Sequence, residues 1–339
     1  MIRTVRCHQI DEDITTVTLD TINLDPPAEG EVQVAIKACA VNFTDILKIQ
    51  GKYQRKPPLP FAPGSEAAGD VVAIGSGVDD VAVGDKVIIG GDHGGFAEAR
   101  NISTHNVTPM PKAMTYATAA SFSTAYLTAW VALTCRGHLK PGENLLVHGA
   151  TGGVGLAAVD LGKYLGATVI ATGGRDDKLK IVKERGADHV INYTMPDGEI
   201  GGFRNKVKAL TDGRGADVIY DPVGGGAFDE SMRCINVDGR LLTLGFTSGR
   251  WPQAAVNLIL IKQLQVIGVR AGEYGRVYPE KGIENTRAIY ELADSGKIQP
   301  YVCRTFPLEE AVSAMQMLEA RNVVGKCVIT MNGYSVDDQ

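Results

Sequence analysis

One segment constrains the fold of this 339-residue chain more than any other: NLLVHGATGGVGLAAVDLGKYLGATVIATGGRDDKL, Asn144 to Leu179. It reads as strand, glycine-rich turn, helix and second strand. Asn144–His148 is an apolar strand. Val154, Ala158, Leu161 and Leu165 fall at i, i+4, i+7 and i+11, one helical stripe, and Gly166 ends the helix. Thr168–Thr172 is the second strand. The turn brings Gly149, Ala150, Thr151, Gly152, Gly153, Val154 and Gly155 to a helix N-terminus. There backbone N–H groups and the helix dipole attract an anion, and glycines let the backbone approach it. Such a turn holds a dinucleotide pyrophosphate. The strand before it and the strand after it distinguish it from a glycine turn that serves only chain reversal.

The same alternation continues. Asp176–Arg185 reads as a helix with acids first and basic residues last, closed by Gly186. His189–Asn192, Asp217–Asp221, Leu241–Leu244 and Leu264–Arg270 read as strands, and Ile200–Thr211 and Ala227–Ile235 as helices. This spacing predicts a parallel sheet with helices on both faces. Upstream, Glu31–Val41 alternates with a period near two, and Asp70–Ile74 and Lys86–Ile89 are short β-type runs between glycine-rich turns, the pattern of a small sheet or barrel. Tyr116–Cys135 is helical in pattern. Downstream come helices at Asn285–Ser295 and Leu308–Ala320, a strand at Lys326–Thr330, and a tail, Asn332–Gln339, expected to fray. The fold class is α/β: a Rossmann doubly wound parallel sheet (124–268) inserted between the two halves (1–123 and 269–339) of a β-rich domain.

A formal charge of −5 and the absence of any basic run argue against a nucleic-acid partner. The six cysteines are scattered, without a CxxC pair, as expected of reduced thiols in a cytoplasmic protein. The N-terminal MIRTVRCHQIDEDIT has no apolar run of the secretory kind. The longest apolar stretch, Asn257–Val269, is short and carries Lys262, so no membrane span is expected.

An NAD site places an acid about 20 residues beyond the glycine turn to hold the ribose 2′-OH. Here that position is Arg175, preceded by Gly173 and Gly174 and followed by Lys178 in the first turn of the next helix. Arg175 and Lys178 suit a 2′-phosphate, and Tyr193, ending the third strand, can add a hydroxyl. The expected cofactor is NADPH. If Arg175 and Lys178 are instead surface charges paired with Asp176 and Asp177, NADH remains open.

HGATGGVG, the segment NFTDILKIQGKYQRKPPLPFAPGSEAAGDVVAIGSGV (Asn42–Val78) and VGDKV (Val83–Val87) resemble the medium-chain dehydrogenase/reductase superfamily, and within it the zinc-free quinone oxidoreductase, zeta-crystallin-like branch. The resemblance runs from about Val32 to Ile329. It implies a GroES-like catalytic domain, a cofactor cleft between that domain and the Rossmann domain, and a homodimer joined through Leu258–Gly268, which reads as an apolar sheet-edge segment. Where the zinc alcohol dehydrogenases carry metal ligands, this chain has Asn42, Ser65 and Ala120, and the four-cysteine structural lobe is missing. Asn and Ser do not make a tetrahedral zinc site, so no metal is expected. An acceptor reduced without a Lewis acid must already be electrophilic: a quinone or an α,β-unsaturated carbonyl.

The resemblance also implies roles. Tyr53 matches an active-site tyrosine that hydrogen-bonds the acceptor oxygen; the alternative is an aromatic packed in a loop. Asn42 offers an amide to substrate or nicotinamide ribose; the alternative is a turn cap. Thr124 matches a residue at the nicotinamide end, Gly245, Phe246 and Thr247 line it, and Val269 and Arg270 approach from the next strand, although Arg270 equally suits an ion pair. Asp45 and Glu66 read as structural. Delivery of two electrons together and one-electron quinone reduction both fit. Two rival readings stay open: an enoyl-thioester reductase, which would use the basic cluster Lys52, Arg55 and Lys56, and a nucleotide-binding protein without enzymatic duty.

Overall fold

A computed structural model describes residues 1–335, in two compact units: Met1–Ser123 with the segment from Ala293 onward, and Thr124–Leu292. In chain order the strands are β1 (Ile2–Arg6), β2 (Thr18–Ile22), β3 (Glu31–Ala40), β4 (Glu66–Ile74), β5 (Lys86–Gly90), β6 (Ala99–Ser103) and β7 (Val107–Pro109). The middle of the chain supplies β8 (Asn144–Val147), β9 (Thr168–Gly173), β10 (His189–Asn192), β11 (Ala216–Asp221), β12 (Ile235–Thr243) and β13 (Gln265–Gly268). Last come β14 (Val302–Pro307) and β15 (Lys326–Thr330).

The first unit is built on a sheet in the order β14-β15-β3-β4-β5-β7, with β6 also paired to β3, and a separate β1–β2 hairpin pair. Along β3, Val32, Val34 and Ile36 are fully buried while their neighbours are half-buried, the alternation expected of a strand with one face on a core. Phe61, Phe96, Ile46, Ile49 and Met315 close that core. The C-terminal strand β15 pairs antiparallel with β3 through Val328–Ala40 and Ile329–Cys39, so both ends of the chain build one sheet.

The second unit is a six-stranded, all-parallel sheet in the order β10-β9-β8-β11-β12-β13. This is the doubly wound order: from β8 the chain adds strands outward on one side and from β11 on the other, so the strand order reverses between these two parallel neighbours. Leu145, Leu146, Val147, Val169, Ile170, Val218, Ile219, Leu241 and Leu242 are fully buried. Strands covered on both faces need such continuous apolar runs.

Several expectations are corrected. Residues 269–292, expected with the β-rich domain, belong to the second unit. The long helix Pro279–Asp294 is tied there through Asn285, whose Oδ1 accepts from Trp130 Nε1 at 3.2 Å. The segment Leu258–Gly268 is not all sheet edge: Val256–Lys262 is a helix, ended by Gln263 in the left-handed conformation (φ 53), and only Gln265–Gly268 forms the edge strand. The helix expected over Ile200–Thr211 is confined to Arg204–Leu210, because Gly202 (φ 69) holds the chain out of helix just before it. Tyr116–Cys135 breaks into Tyr116–Ala119, Ser123–Trp130 and a wide-turned Val131–Arg136. In the tail, Tyr334 stacks edge-on against Tyr116 at 5.3 Å; the rest of the expected frayed end, 336–339, lies outside the described residues. All six cysteines are free. Among the described residues no helix is long and apolar enough to cross a membrane.

Candidate active site

The glycine turn leaves the carboxyl end of β8 beside the point where strand order reverses. Gly149 has φ 56, which favours glycine, and the Ala150 N–H donates to Thr172 O at 2.9 Å. Gly152 caps the helix Gly153–Tyr164 without a side chain. A Cβ on Gly155 would stand 2.3 Å from Gly149 O and 2.8 Å from Ala150 Cα, so the helix can pack on the turn only with glycine there. A Cβ on Gly152 would meet nothing nearer than Gly149 O at 3.4 Å. The turn is therefore closed toward the protein and open outward, the shape a phosphate needs at a helix N-terminus.

The base of the turn rests on His148. Its Nδ1 pairs with Thr172 Oγ1 at 2.8 Å and its Nε2 with Ser231 Oγ at 2.7 Å, and its ring packs on Phe203. Burial pushes its pKa down to about 3, so the ring is neutral and ties β8 to β9 and to the helix Gly225–Cys234. Sequence reading passed over this residue. Its signal was a polar residue ending an otherwise apolar strand just before the glycines.

Gly174 and Arg175 follow β9 and lead into the helix that carries Lys178, and Tyr193, just after β10, lies beside Gly174. The Tyr193 ring lies 3.7 Å from where a Gly174 Cβ would be. Arg175 precedes the helix Asp176–Glu184 and grips Asp177 with two bonds, Nη2 to Oδ2 at 2.7 Å and Nε to Oδ1 at 3.0 Å. Asp176 accepts from Asn192 Nδ2 at 3.0 Å. Lys178 is only 7% exposed in the first helical turn, so it is not a loose surface charge.

Gly245, Phe246 and Thr247 follow β12 at its carboxyl end. The Thr247 N–H and Oγ1 both donate to Pro222 O at 3.2 Å, and Phe246 is exposed beside Trp251. Val269 is buried, with its N–H on Thr243 O; Arg270 lies 3.9 Å from Glu273, a long exposed pair. Thr124 is exposed in the first turn of Ser123–Trp130. Near β11, Asp221 Oδ1 accepts from the Val223 and Gly224 N–H groups, and burial raises its pKa to about 6 despite them.

In the β-rich unit, Asn42 and Tyr53 bracket the short helix Phe43–Ile49. The Asn42 N–H donates to Asp45 Oδ2 at 2.9 Å. Asn42 Oδ1 accepts from Lys326 Nζ at 2.6 Å. The Tyr53 N–H reaches back to Leu47 O, and Lys48 Nζ sits 5.5 Å from the Tyr53 ring centre. Lys48 also donates to Asp92 O and lies 3.9 Å from Asp45 Oδ1. Burial raises the Asp45 pKa, opposed by Lys48, the Asn42 N–H and Lys326. Asp45 and Glu66 are buried, in keeping with a structural part. One network of buried charge thus joins the two candidate substrate-facing residues. Neither Lys48 nor Lys326 was singled out from sequence, because a lysine's burial depends on strands distant in the chain. Among the described residues no group of three or more His, Cys, Asp or Glu side chains is placed to hold a metal ion.

A doubly wound sheet with an open glycine cradle, joined in one chain to a GroES-like sheet, defines a nucleotide-dependent oxidoreductase of two-domain type. Comparison with known proteins makes this specific. Residues 28–112 match the family model "Alcohol dehydrogenase GroES-like domain" and residues 153–285 match "Zinc-binding dehydrogenase". A quinone oxidoreductase-like protein 2 homolog of Nematostella vectensis is 37% identical over 330 residues, 96% of this chain and 88% of the relative. A mycobacterial quinone oxidoreductase structure superposes with a TM-score of 0.82 at 29% identity, covering 97% of this chain and all of that one. A mycobacterial protein solved in complex with NADPH superposes with a TM-score of 0.86 at 30% identity, covering 97% and 99%. The chain belongs to the medium-chain dehydrogenase/reductase superfamily, in its zinc-free quinone oxidoreductase-like branch, and is an NAD(P)-dependent oxidoreductase.

Proposed function

We propose that this protein is an NADPH-dependent, zinc-independent reductase of quinones or α,β-unsaturated carbonyl compounds. One observation carries the reading: Arg175 stands at the end of β9 where a ribose-binding acid would stand, while both neighbouring acids are engaged, Asp177 by Arg175 and Asp176 by Asn192. The Arg175–Asp177 pair is exposed, so it is weak and yields readily to a doubly charged phosphate. The complex of the mycobacterial relative with NADPH supports the same choice.

The residues present fit the dinucleotide. Thr151, Gly153 and Val154 offer backbone N–H groups to the pyrophosphate, those of Ala150 and Gly152 being bound to Thr172 O and Gly149 O; Gly174, Arg175, Lys178 and Tyr193 surround the adenosine ribose phosphate, and Thr124, Gly245–Thr247, Val269 and Arg270 hold the nicotinamide end. When bound, the reduced cofactor supplies two reducing equivalents. The chain's own residues do the rest. Tyr53 donates its O–H to the acceptor oxygen and Asn42 its amide N–H, so negative charge growing on that oxygen meets fixed donors. Lys52 and Arg55 are held in exposed pairs with Glu12 and Asp92, as weak as that of Arg175, so the basic cluster stays open to a phosphorylated acyl carrier and the acceptor panel separates simple acceptors from enoyl thioesters. For assembly, β13 is an open sheet edge beside Val256, Leu260 and Ile261, all more than two-thirds exposed, and a second copy pairing there buries them.

A panel of 1,4-benzoquinone, 9,10-phenanthrenequinone, an enone and crotonyl-CoA, each run with NADPH and NADH on metal-analysed protein, tests the reading. Faster oxidation of NADPH with a quinone or enone is expected. A preference for NADH, a rate confined to crotonyl-CoA, or no oxidation with any acceptor overturns it.

A further inference from the structure

Lys326 opens β15 and is 6% exposed, yet a strand residue of a β-rich core has no structural need for a buried ammonium. Its backbone is held by the Tyr301 carbonyl, and its Nζ reaches across to Asn42 Oδ1 at 2.6 Å. Asn42 is itself 9% exposed. Its Nδ2 is buried and has no hydrogen-bond partner among the described residues.

A lysine ammonium carries three donors and no acceptor, so it can meet a side-chain amide only at the oxygen. Turning the Asn42 amide over would set its NH2 against the NH3⁺ and lose a charge-assisted bond. The backbone N–H of Asn42 is already bound by Asp45, which fixes where the side chain starts. The amide therefore has one orientation, with its nitrogen turned away from Lys326. Buried polar atoms in folded proteins have partners, and one that lacks them calls for a group that arrives later.

The cation has compensation in place. Asp45 and Glu66 are buried, and both act together with Lys326 on the buried Cys39 thiol, so two buried carboxylates lie near the ammonium; Lys48 Nζ lies 3.9 Å from Asp45 Oδ1. Neither carboxylate occupies the amide nitrogen of Asn42.

We propose that Lys326 is a positioning residue for turnover: by holding Asn42 Oδ1 it aims Asn42 Nδ2 at the carbonyl or quinone oxygen of the acceptor. The proposal rests on the reading that Asn42 faces the acceptor. A loosely held donor samples other rotamers, and a misplacement of about 1 Å costs roughly a hundredfold in rate.

A double-mutant cycle on the whole protein tests this, with Lys326→Met, Asn42→Ala and the pair. Turnover is measured with NADPH and 1,4-benzoquinone, NADPH affinity by calorimetry, and folding by thermal melting. Each single variant is expected to lose about ten- to a hundredfold in kcat/KM while binding NADPH within about twofold of the parent. The pair is expected to be no worse than the poorer single variant, because Lys326 acts only through Asn42. Lys326→Gln keeps a donor at this position and is expected to recover at least half of the loss on a logarithmic scale; if Lys326→Met does not fold, Lys326→Gln carries the cycle. A crystal structure of the folded lysine variant is expected to show the Asn42 amide turned or in two rotamers. Multiplying losses in the pair, or full activity in a folded lysine variant, overturn the role of Lys326 alone. Full activity of Asn42→Ala overturns the placement of Asn42 at the acceptor, and with it both readings.

Discussion

Replacing Gly152 and Gly155 one at a time by alanine separates what the glycine turn does for folding from what it does for binding. At Gly155 the new methyl would lie 2.3 Å from Gly149 O and 2.8 Å from Ala150 Cα, both backbone atoms that cannot swing aside. Overpacking of this kind costs about 1–3 kcal/mol. In a unit of this size each kcal/mol lowers the melting temperature by roughly 2–4 °C, so Gly155→Ala is expected to melt roughly 2–12 °C lower. Gly152 has φ −84 and ψ 166, which any residue adopts, and its nearest neighbour would be 3.4 Å away. Gly152→Ala is therefore expected to fold as well as the parent, or up to about 1 kcal/mol better through a stiffer unfolded chain. Its methyl, however, stands on the open side of the helix N-terminus, where the pyrophosphate must approach. NADPH affinity measured by calorimetry should fall at least about tenfold, equivalent to ~1.4 kcal/mol. Scanning calorimetry supplies the stability arm. If Gly152→Ala binds NADPH like the parent, or Gly155→Ala melts at the parent temperature, the division of labour assigned to the turn is wrong.

Arg175→Ala is expected to raise the KM for NADPH about tenfold and leave that for NADH within about twofold, because only the extra phosphate meets the guanidinium; equal changes for both coenzymes in steady-state assays would refute this. Tyr53→Phe should lower kcat about tenfold or more, with an unchanged melting temperature, since the ring and its contact with Lys48 survive. The His148 pKa is lowered by burial to about 3 against about 6.5 unfolded, so between those values the unfolded chain binds one more proton and stability falls as pH falls. Asp221, raised to about 6, has the opposite slope between about 4 and 6 and masks this in the parent. The parent's stability relative to His148→Gln should therefore shrink by roughly 1.4 kcal/mol per pH unit below about 6.5, and denaturant titrations showing a constant difference would refute the neutral, buried ring. Leu260→Glu, placing a charge on the apolar helix face, should shift the protein toward monomer in light scattering if a second copy docks at β13.

The second unit was largely legible because its information is local. The buried central strands are apolar runs, the helices Gly153–Tyr164 and Asp176–Glu184 carry a stripe and stop before Gly166 and Gly186, and the phosphate turn is contiguous from Gly149 to Gly155. The errors arose where local pattern and environment part. The run Val256–Lys262 is apolar enough for a strand, but its side chains lie largely exposed on a helix, and Gln263 stops it. Residues 279–294 carry no mark of which unit they serve; the bond from Trp130 to Asn285 settles it.

By itself the amino-acid order determined the doubly wound sheet and the glycine cradle, since these follow from residue type and short spacing. Only tertiary structure decided that Lys326, 284 positions from Asn42, lies within 2.6 Å of its amide oxygen. The same holds for His148, whose partners Thr172 and Ser231 come from two other elements. The physical reason is common to both. The direction of a buried polar group is set by whichever donors and acceptors the packed chain places around it, and sheet pairing between distant segments, β15 on β3 or β8 on β9, brings those partners in.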